Sequence, residues 1–257
     1  NVRKEHVISA PDVESIYDVP VNFEKDNLGA ILCQVLSLPN GHPTDLNEWK
    51  TFVDKTKNYN REVKIAIAGK YFKSGEFVLS DVYISVIEAL KFSAYSEGAK
   101  PVITYLNTND FENEGADFSV LSSYDGIIVP GGFGETGIEG KIKIIEYARK
   151  NKIPYFGLCY GMQLMVIEYA RNVLNLDGAH TTEIKADAKE PVIDIMPEQK
   201  EKVAKKDYGG SMRLGTYPAN LKEGSIAKEA YDKSEIEERH RPRYEVTPAY
   251  VERLEKA

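Results

Sequence analysis

The chain has 257 residues, 42% apolar and 28% charged, which suffices for one large domain or one domain with an appendage and excludes a disulfide-stapled miniprotein. Its 33 Lys and Arg stand against 40 Asp and Glu, and a net charge of −7 argues against a nucleic-acid binder that works through broad phosphate neutralisation. The longest apolar runs are strand-sized, the first residues carry no apolar signal region, and the only cysteines are Cys33 and Cys159, so the expectation is a cytoplasmic protein with free thiols and no membrane association.

In chain order, Pro11 to Tyr17 and then Leu28, Ile31, Leu32 and Val35 give two helical signals, with Cys33 expected as a small core residue beside the second. Residues 37–44 concentrate turn formers and read as a linker, so a boundary is expected there, with 1–44 as an N-terminal helical remnant plus linker and 45–257 as the main domain. Asp45-x-x-Glu48 resembles a capping box for a short helix to about Tyr59.

From residue 63 short β-branched runs alternate with amphipathic stretches: strand 63–68, a helix 81–97 closed by Gly98, strand 101–105, strand 126–129, helix 139–150, strand 153–156 and helix 160–174. This pattern predicts an α/β fold, an open, mostly parallel sheet covered by helices. Beyond 183 the texture reads as a hairpin, 191–195 with 212–215, flanking a Lys-rich surface loop at 200–206. Thr247-Pro248 starts a last helix, with Tyr250, Val251 and Leu254 as its apolar stripe; the chain ends inside it, and both termini read as cut from something longer.

The sharpest chemical signal is Gly157-Leu158-Cys159-Tyr160-Gly161. An apolar strand runs into Gly-x-Cys-x-Gly and a helix follows at once, the nucleophile-elbow arrangement with Cys in place of Ser. A thiol at a helix N-terminus feels the positive end of the dipole, which favours the thiolate. Gly131-Gly132-Phe133-Gly134 follows the preceding strand at the same sheet edge, and backbone N–H groups of Gly132 and Tyr160 could form an oxyanion hole; as a bland alternative the loop is a tight strand-to-helix connection. No metal site is expected. Four histidines, His6, His42, His180 and His240, are available as a base, and none stands out. His240 lies in Glu238-Arg239-His240-Arg241-Pro242-Arg243, a cationic cluster that suits either an anionic substrate group or an exposed ion-pair network.

These residues resemble the triad-type (class I) glutamine amidotransferases, and within them the CTP synthase family. Gly131 to Gly134 with Gly137-x-Glu139-Gly140-Lys141, the elbow through Gln163, Gly209 to Gly215, and Glu238 to Val246 look like four signatures of that family in order. The resemblance implies a flavodoxin-like amidotransferase fold preceded by the tail of an amidoligase domain. It implies that Cys159 attacks the side-chain amide of L-glutamine and that Gly132, Tyr160, Gln163, Glu183 and Arg241 bind glutamine, Glu183 at the α-ammonium and Arg241 at the α-carboxylate. The ammonia would serve ATP- and Mg²⁺-dependent amination of UTP to CTP in the amidoligase domain, with GTP as an activator and a tetramer as the assembly. The sequence departs from the family in four places: it has no His-Pro-Glu segment for the catalytic His and Glu (His42-Pro43 precedes Thr44), Thr136 stands where Arg is typical, Tyr160 where Leu is usual, and Pro242 in place of a second His. The resemblance therefore implies a fragment without its base. A γ-glutamyl hydrolase-type Cys peptidase, or a degenerate amidotransferase domain kept as a non-catalytic module, are the competing readings.

Overall fold

The computed structural model describes residues 2–39, 45–70, 73–74, 77–78, 80–132, 134–205, 215–240 and 242–257. They form two compact units, residues 1–63 with 84–102 and residues 64–83 with 103–257. Part of the expected linker, residues 40–44, lies outside the described residues.

The first unit holds helices α1 (Asp18–Lys25), α2 (Leu28–Val35), α3 (Asn47–Lys57) and α4 (Ile84–Ser96). The first helix falls after the Pro11–Tyr17 segment expected to be helical, and Pro20 then sits in its first turn, where a missing N–H costs no helical bond. Tyr17 instead supplies the unit's core: its ring is 7% exposed and lies edge-on to Phe52 and Phe92 at 5.3 Å, beside Trp49 at 6.1 Å. Trp49 Nε1 donates to the Tyr17 carbonyl at 2.9 Å, and the Tyr17 hydroxyl donates to Glu88. The N-cap of α3 is Leu46 rather than the Asp45 of the expected capping box, and Asp45 Oδ1 accepts from the Asn47 N–H at 2.9 Å. Cys33 departs from its expected core position: it is only half-buried, on a helix with no buried residue.

Strands β1 (Arg61–Gly69) and β2 (Ala99–Asn107) begin in the first unit and run into the second. With β3 (Gly126–Val129) and β4 (Tyr155–Gly157) they form a sheet in the order β2-β1-β3-β4. The β1–β3 and β3–β4 pairs are parallel, in the registers Ile67↔Ile128 and Ile128↔Phe156. Pro154 has no N–H to give a ladder, and β4 starts one residue beyond it. Helices α5 (Ile138–Lys150) and α6 (Tyr160–Asn172) bury Ile142, Ile145, Leu164 and Ile167 in one cluster with Ala66, Ile127 and Val129. This is the helix-covered parallel sheet expected from the sequence.

Inside this core the Glu168 carboxylate of α6 is fully buried. Arg149 of α5 donates to it from Nε and Nη2, the latter at 2.7 Å to Oε1, and the Asn172 amide donates at 3.0 Å.

Farther along, β5 (Ala179–Thr181) pairs in parallel with β6 (Glu190–Ile195), and helix α7 (Pro197–Ala204) covers most of the stretch expected to be a Lys-rich loop. Its residues are mostly strong helix formers behind an N-terminal Pro, and local propensity wins over the charge-run reading. Antiparallel β7 (Thr216–Asn220) and β8 (Glu235–Arg239) enclose α8 (Ile226–Tyr231). The antiparallel partner of β6 is β9 (Tyr244–Val246) rather than 212–215, of which 212–214 lie outside the described residues. Helix α9 (Pro248–Lys256) follows, as Thr247-Pro248 predicts.

Candidate active site

The elbow is built by close approach of backbone. At the end of β4 the Leu158 N–H bonds the Val129 carbonyl at 2.9 Å, and α6 starts at Tyr160 with Gln163 N–H bonded to the Cys159 carbonyl at 3.1 Å. The positive φ falls on Cys159 itself, at φ 52°, ψ −103°, a backbone state that costs a non-glycine residue about 1–3 kcal/mol. The flanking glycines serve a different end. A Cβ on Gly161 would lie 2.0 Å from the Val129 carbonyl oxygen, and one on Gly157 would lie 2.6 Å from Gly161 C, so only glycine lets α6 seat this near the sheet.

Cys159 is an exposed free thiol at the N-cap of α6. Its surroundings nonetheless strip enough water from the sulfur to push the thiol above its ordinary pKa. The Tyr160 N–H pulls the other way, as expected of a helix N-terminus, and the Glu183 charge adds to the rise. Desolvation outweighs the helix terminus, so the resting form is the thiol.

The glycine loop passes beside the elbow. A Cβ on Gly131 would touch Cys159 Cβ at 3.6 Å, while one on Gly132 would meet Lys141 Nζ at 3.7 Å and Tyr160 Cδ1 at 3.9 Å. The Tyr160 hydroxyl donates to the Gly134 carbonyl at 3.3 Å, so the residue after the nucleophile is tied to the loop. Tyr160 is 2% exposed, packed in the core cluster. Lys141 is fully buried, with its ammonium 5.4 Å from the Tyr160 ring centroid. Burial, and then the like charge of Lys70, lowers its pKa from 10.5 to about 8.

Glu183 follows β5, its N–H bonded to Thr181 Oγ1 at 3.2 Å. Burial raises its pKa and Lys70 opposes the rise. Lys70 Nζ is 3.7 Å from a Cβ position on Gly134, which puts this lysine near both the loop and Glu183. Gln163 is buried, with Nε2 3.3 Å from the Tyr244 carbonyl and an Oε1 that has no partner among the described residues. The structure thus gathers Cys159, Tyr160, Gly132 and Glu183 at one edge of the sheet. Arg241, Phe133, His42 and residues 209–214 lie outside the described residues. Of the cationic cluster, the His240 ring packs edge-on to Tyr217 at 6.2 Å and Arg243 is directed at Gln199 Oε1 at 3.5 Å. His180 Nδ1 accepts from the Thr181 N–H at 2.9 Å, and burial lowers its pKa.

Sequence reading passed over Lys70 and, though Lys141 closes the Gly137-x-Glu139-Gly140-Lys141 signature, gave it no role in the site. Neither carries a local signal: one follows a strand, the other reads as one of two alternating lysines in Gly-Lys-Ile-Lys-Ile, and only the fold distinguishes buried Lys141 from half-buried Lys143.

Comparison with known proteins gives the family. The family described as glutamine amidotransferase class-I matches residues 78–256. The chain belongs to that class-I glutamine amidotransferase family. Within it the similarity is to CTP synthases: that of Thermococcus gammatolerans is 48% identical over 100% of this chain, and that of Halalkalibacterium halodurans 46% identical over 99%. The chain spans about half the length, 46%, of each of these relatives. A solved structure of the Trypanosoma brucei CTPS glutaminase domain with bound acivicin is 36% identical, with a TM-score of 0.67, covering 76% of this chain and 72% of that one.

Proposed function

We propose that this chain is the glutaminase part of a CTP synthase, in which Cys159 attacks the side-chain amide carbon of L-glutamine. The Cys–C bond forms as the amide carbonyl becomes an oxyanion facing the Gly132 and Tyr160 N–H groups; expulsion of ammonia leaves a glutamyl thioester, which water cleaves to glutamate. Glu183 receives the α-ammonium, Arg241 the α-carboxylate and Gln163 a polar group through its unpartnered Oε1. A His-Glu pair of the His-Pro-Glu type, which residues 1–257 do not contain, completes the base in the longer protein. The observation that carries this reading is a free thiol on a strained strand-to-helix elbow beside a glycine loop, where a Cβ on Gly131 would lie 3.6 Å from Cys159 Cβ.

The ammonia serves ATP-dependent amination of UTP to CTP elsewhere in the longer protein. ATP and Mg²⁺ act, in this reading, in the amidoligase domain of that longer protein. GTP activation, a tetrameric assembly and a cytoplasmic setting belong to the same proposal. Acivicin, the molecule bound to the T. brucei domain, is the test reagent: in the longer protein that carries the His-Glu pair it should add to Cys159 and L-glutamine should suppress the addition, both read by intact and peptide mass. Absence of labelling would favour the non-catalytic module.

A further inference from the structure

Lys141 is the feature that packing alone leaves unexplained. Its side chain is fully buried, and its Nζ has no hydrogen-bond partner among the described residues. The face of the Tyr160 ring, 5.4 Å away, offers only weak compensation for a buried ammonium. A Met would fill the same volume without that cost, and the lowered pKa of Lys141 records it.

The position of the charge suggests its use. Consecutive loop residues present themselves to different groups, Gly131 to Cys159 and Gly132 to Lys141 Nζ. A trans peptide carries its N–H and C=O on opposite sides. When the Gly131–Gly132 peptide turns its N–H to the thiol, its carbonyl faces away from the thiol and needs a donor inside the protein.

We propose that Lys141 is a positioning residue of the glycine loop: its buried ammonium, unpartnered among the described residues and beside Gly132, takes the Gly131 carbonyl when the Gly131–Gly132 peptide turns its N–H to the thiol, and so keeps that N–H aimed at the reacting carbonyl on Cys159. The inference rests on the glutaminase reading of the site. Lys141 touches no substrate in this role. Tyr160 takes part, because its ring faces the ammonium and its hydroxyl holds Gly134.

The test compares two reagents on the longer protein that carries the His-Glu pair, wild type and Lys141→Met, with Lys141→Leu as a second apolar replacement. Acivicin labelling requires the glutamine site in working geometry, whereas iodoacetamide requires only the thiol. Expected is a fall of about tenfold in the acivicin rate, iodoacetamide within about twofold of wild type, and a melting temperature no lower than wild type. An unchanged acivicin rate, or an equal fall with both reagents, overturns the proposal. If L-glutamine fails to suppress acivicin labelling of the wild-type chain, the glutaminase reading itself falls and this inference with it. Protection in the wild type with an indifferent Lys141→Met removes this inference alone.

Discussion

The Tyr155 hydroxyl donates to the Gly161 carbonyl at 2.8 Å, joining the first residue of β4 to the first turn of α6 across the nucleophile. Burial holds this phenol far above its ordinary pKa, so it stays a donor at all working pH values. The bond and the bare Cα of Gly161 act on the same seat. In Gly161→Ala the new methyl would lie 2.0 Å from the Val129 carbonyl oxygen, and backbone on both sides would have to move. We expect a loss of more than about 3 kcal/mol in denaturant unfolding, whereas Tyr155→Phe should cost only about 1 kcal/mol. An alanine variant as stable as wild type would show that the elbow does not depend on this contact.

The Arg149–Glu168 pair, a buried carboxylate met by a guanidinium that is 32% exposed, should act as a structural lock between α5 and α6. Its carboxylate is fully buried and the guanidinium bonds it through two nitrogens. Removing the cation alone, Arg149→Met, leaves that carboxylate short of its partner and should cost about 3–5 kcal/mol. The double variant Arg149→Met with Glu168→Leu should recover much of that loss in urea titrations; additive losses would contradict the assignment.

Glu183→Gln should move two reactivities of Cys159 in opposite directions. Loss of the nearby negative charge lowers the thiol pKa, so at pH 8 the thiolate fraction and the iodoacetamide rate should rise. The same change removes the proposed partner of the glutamine α-ammonium, so the acivicin rate should fall. Parallel changes in both rates would separate Glu183 from substrate recognition.

Lys141 makes a prediction about stability against pH. Its folded pKa, about 8, lies below the ordinary 10.5, so between these values the unfolded chain binds the extra proton and stability rises with pH. Below about pH 8 the lysine is charged in both states and burying it costs about 3 kcal/mol. Lys141→Met lacks this contribution. Its advantage over wild type should therefore be greatest near pH 7 and shrink toward pH 10, as read from denaturant midpoints; a gap independent of pH would count against a buried charge.

The parts of the fold legible in the sequence are those with a strong period or fixed chemistry. Strands β1 to β3 announce themselves as β-branched runs, β4 as an aromatic pair before the elbow, α6 as a stripe through Leu164 and Ile167, and the elbow as strand, Gly-x-Cys-x-Gly and helix in succession. Weak or competing signals were misread. The 197–204 segment has both a charge run and good helix propensity, and the first outweighed the second. The pairing of β6 with Tyr244–Val246 spans nearly 50 residues and has no local cue. The thiolate argument from the helix terminus took the direction of one effect correctly and lacked the desolvation that exceeds it. Buried Lys141 could not be told from Lys143, because burial depends on the glycine loop meeting the helix from elsewhere in the chain.

The division of the chain gives a last consequence. Residues 84–102 belong with 1–63 although 64–83 intervene, so the first unit is discontinuous in sequence. A protease that cuts once, after residue 63, would leave α4 attached to the rest, and no single uninterrupted gene segment encodes either unit alone. Limited proteolysis should accordingly yield nicked chains that stay together under native conditions and separate only in denaturant.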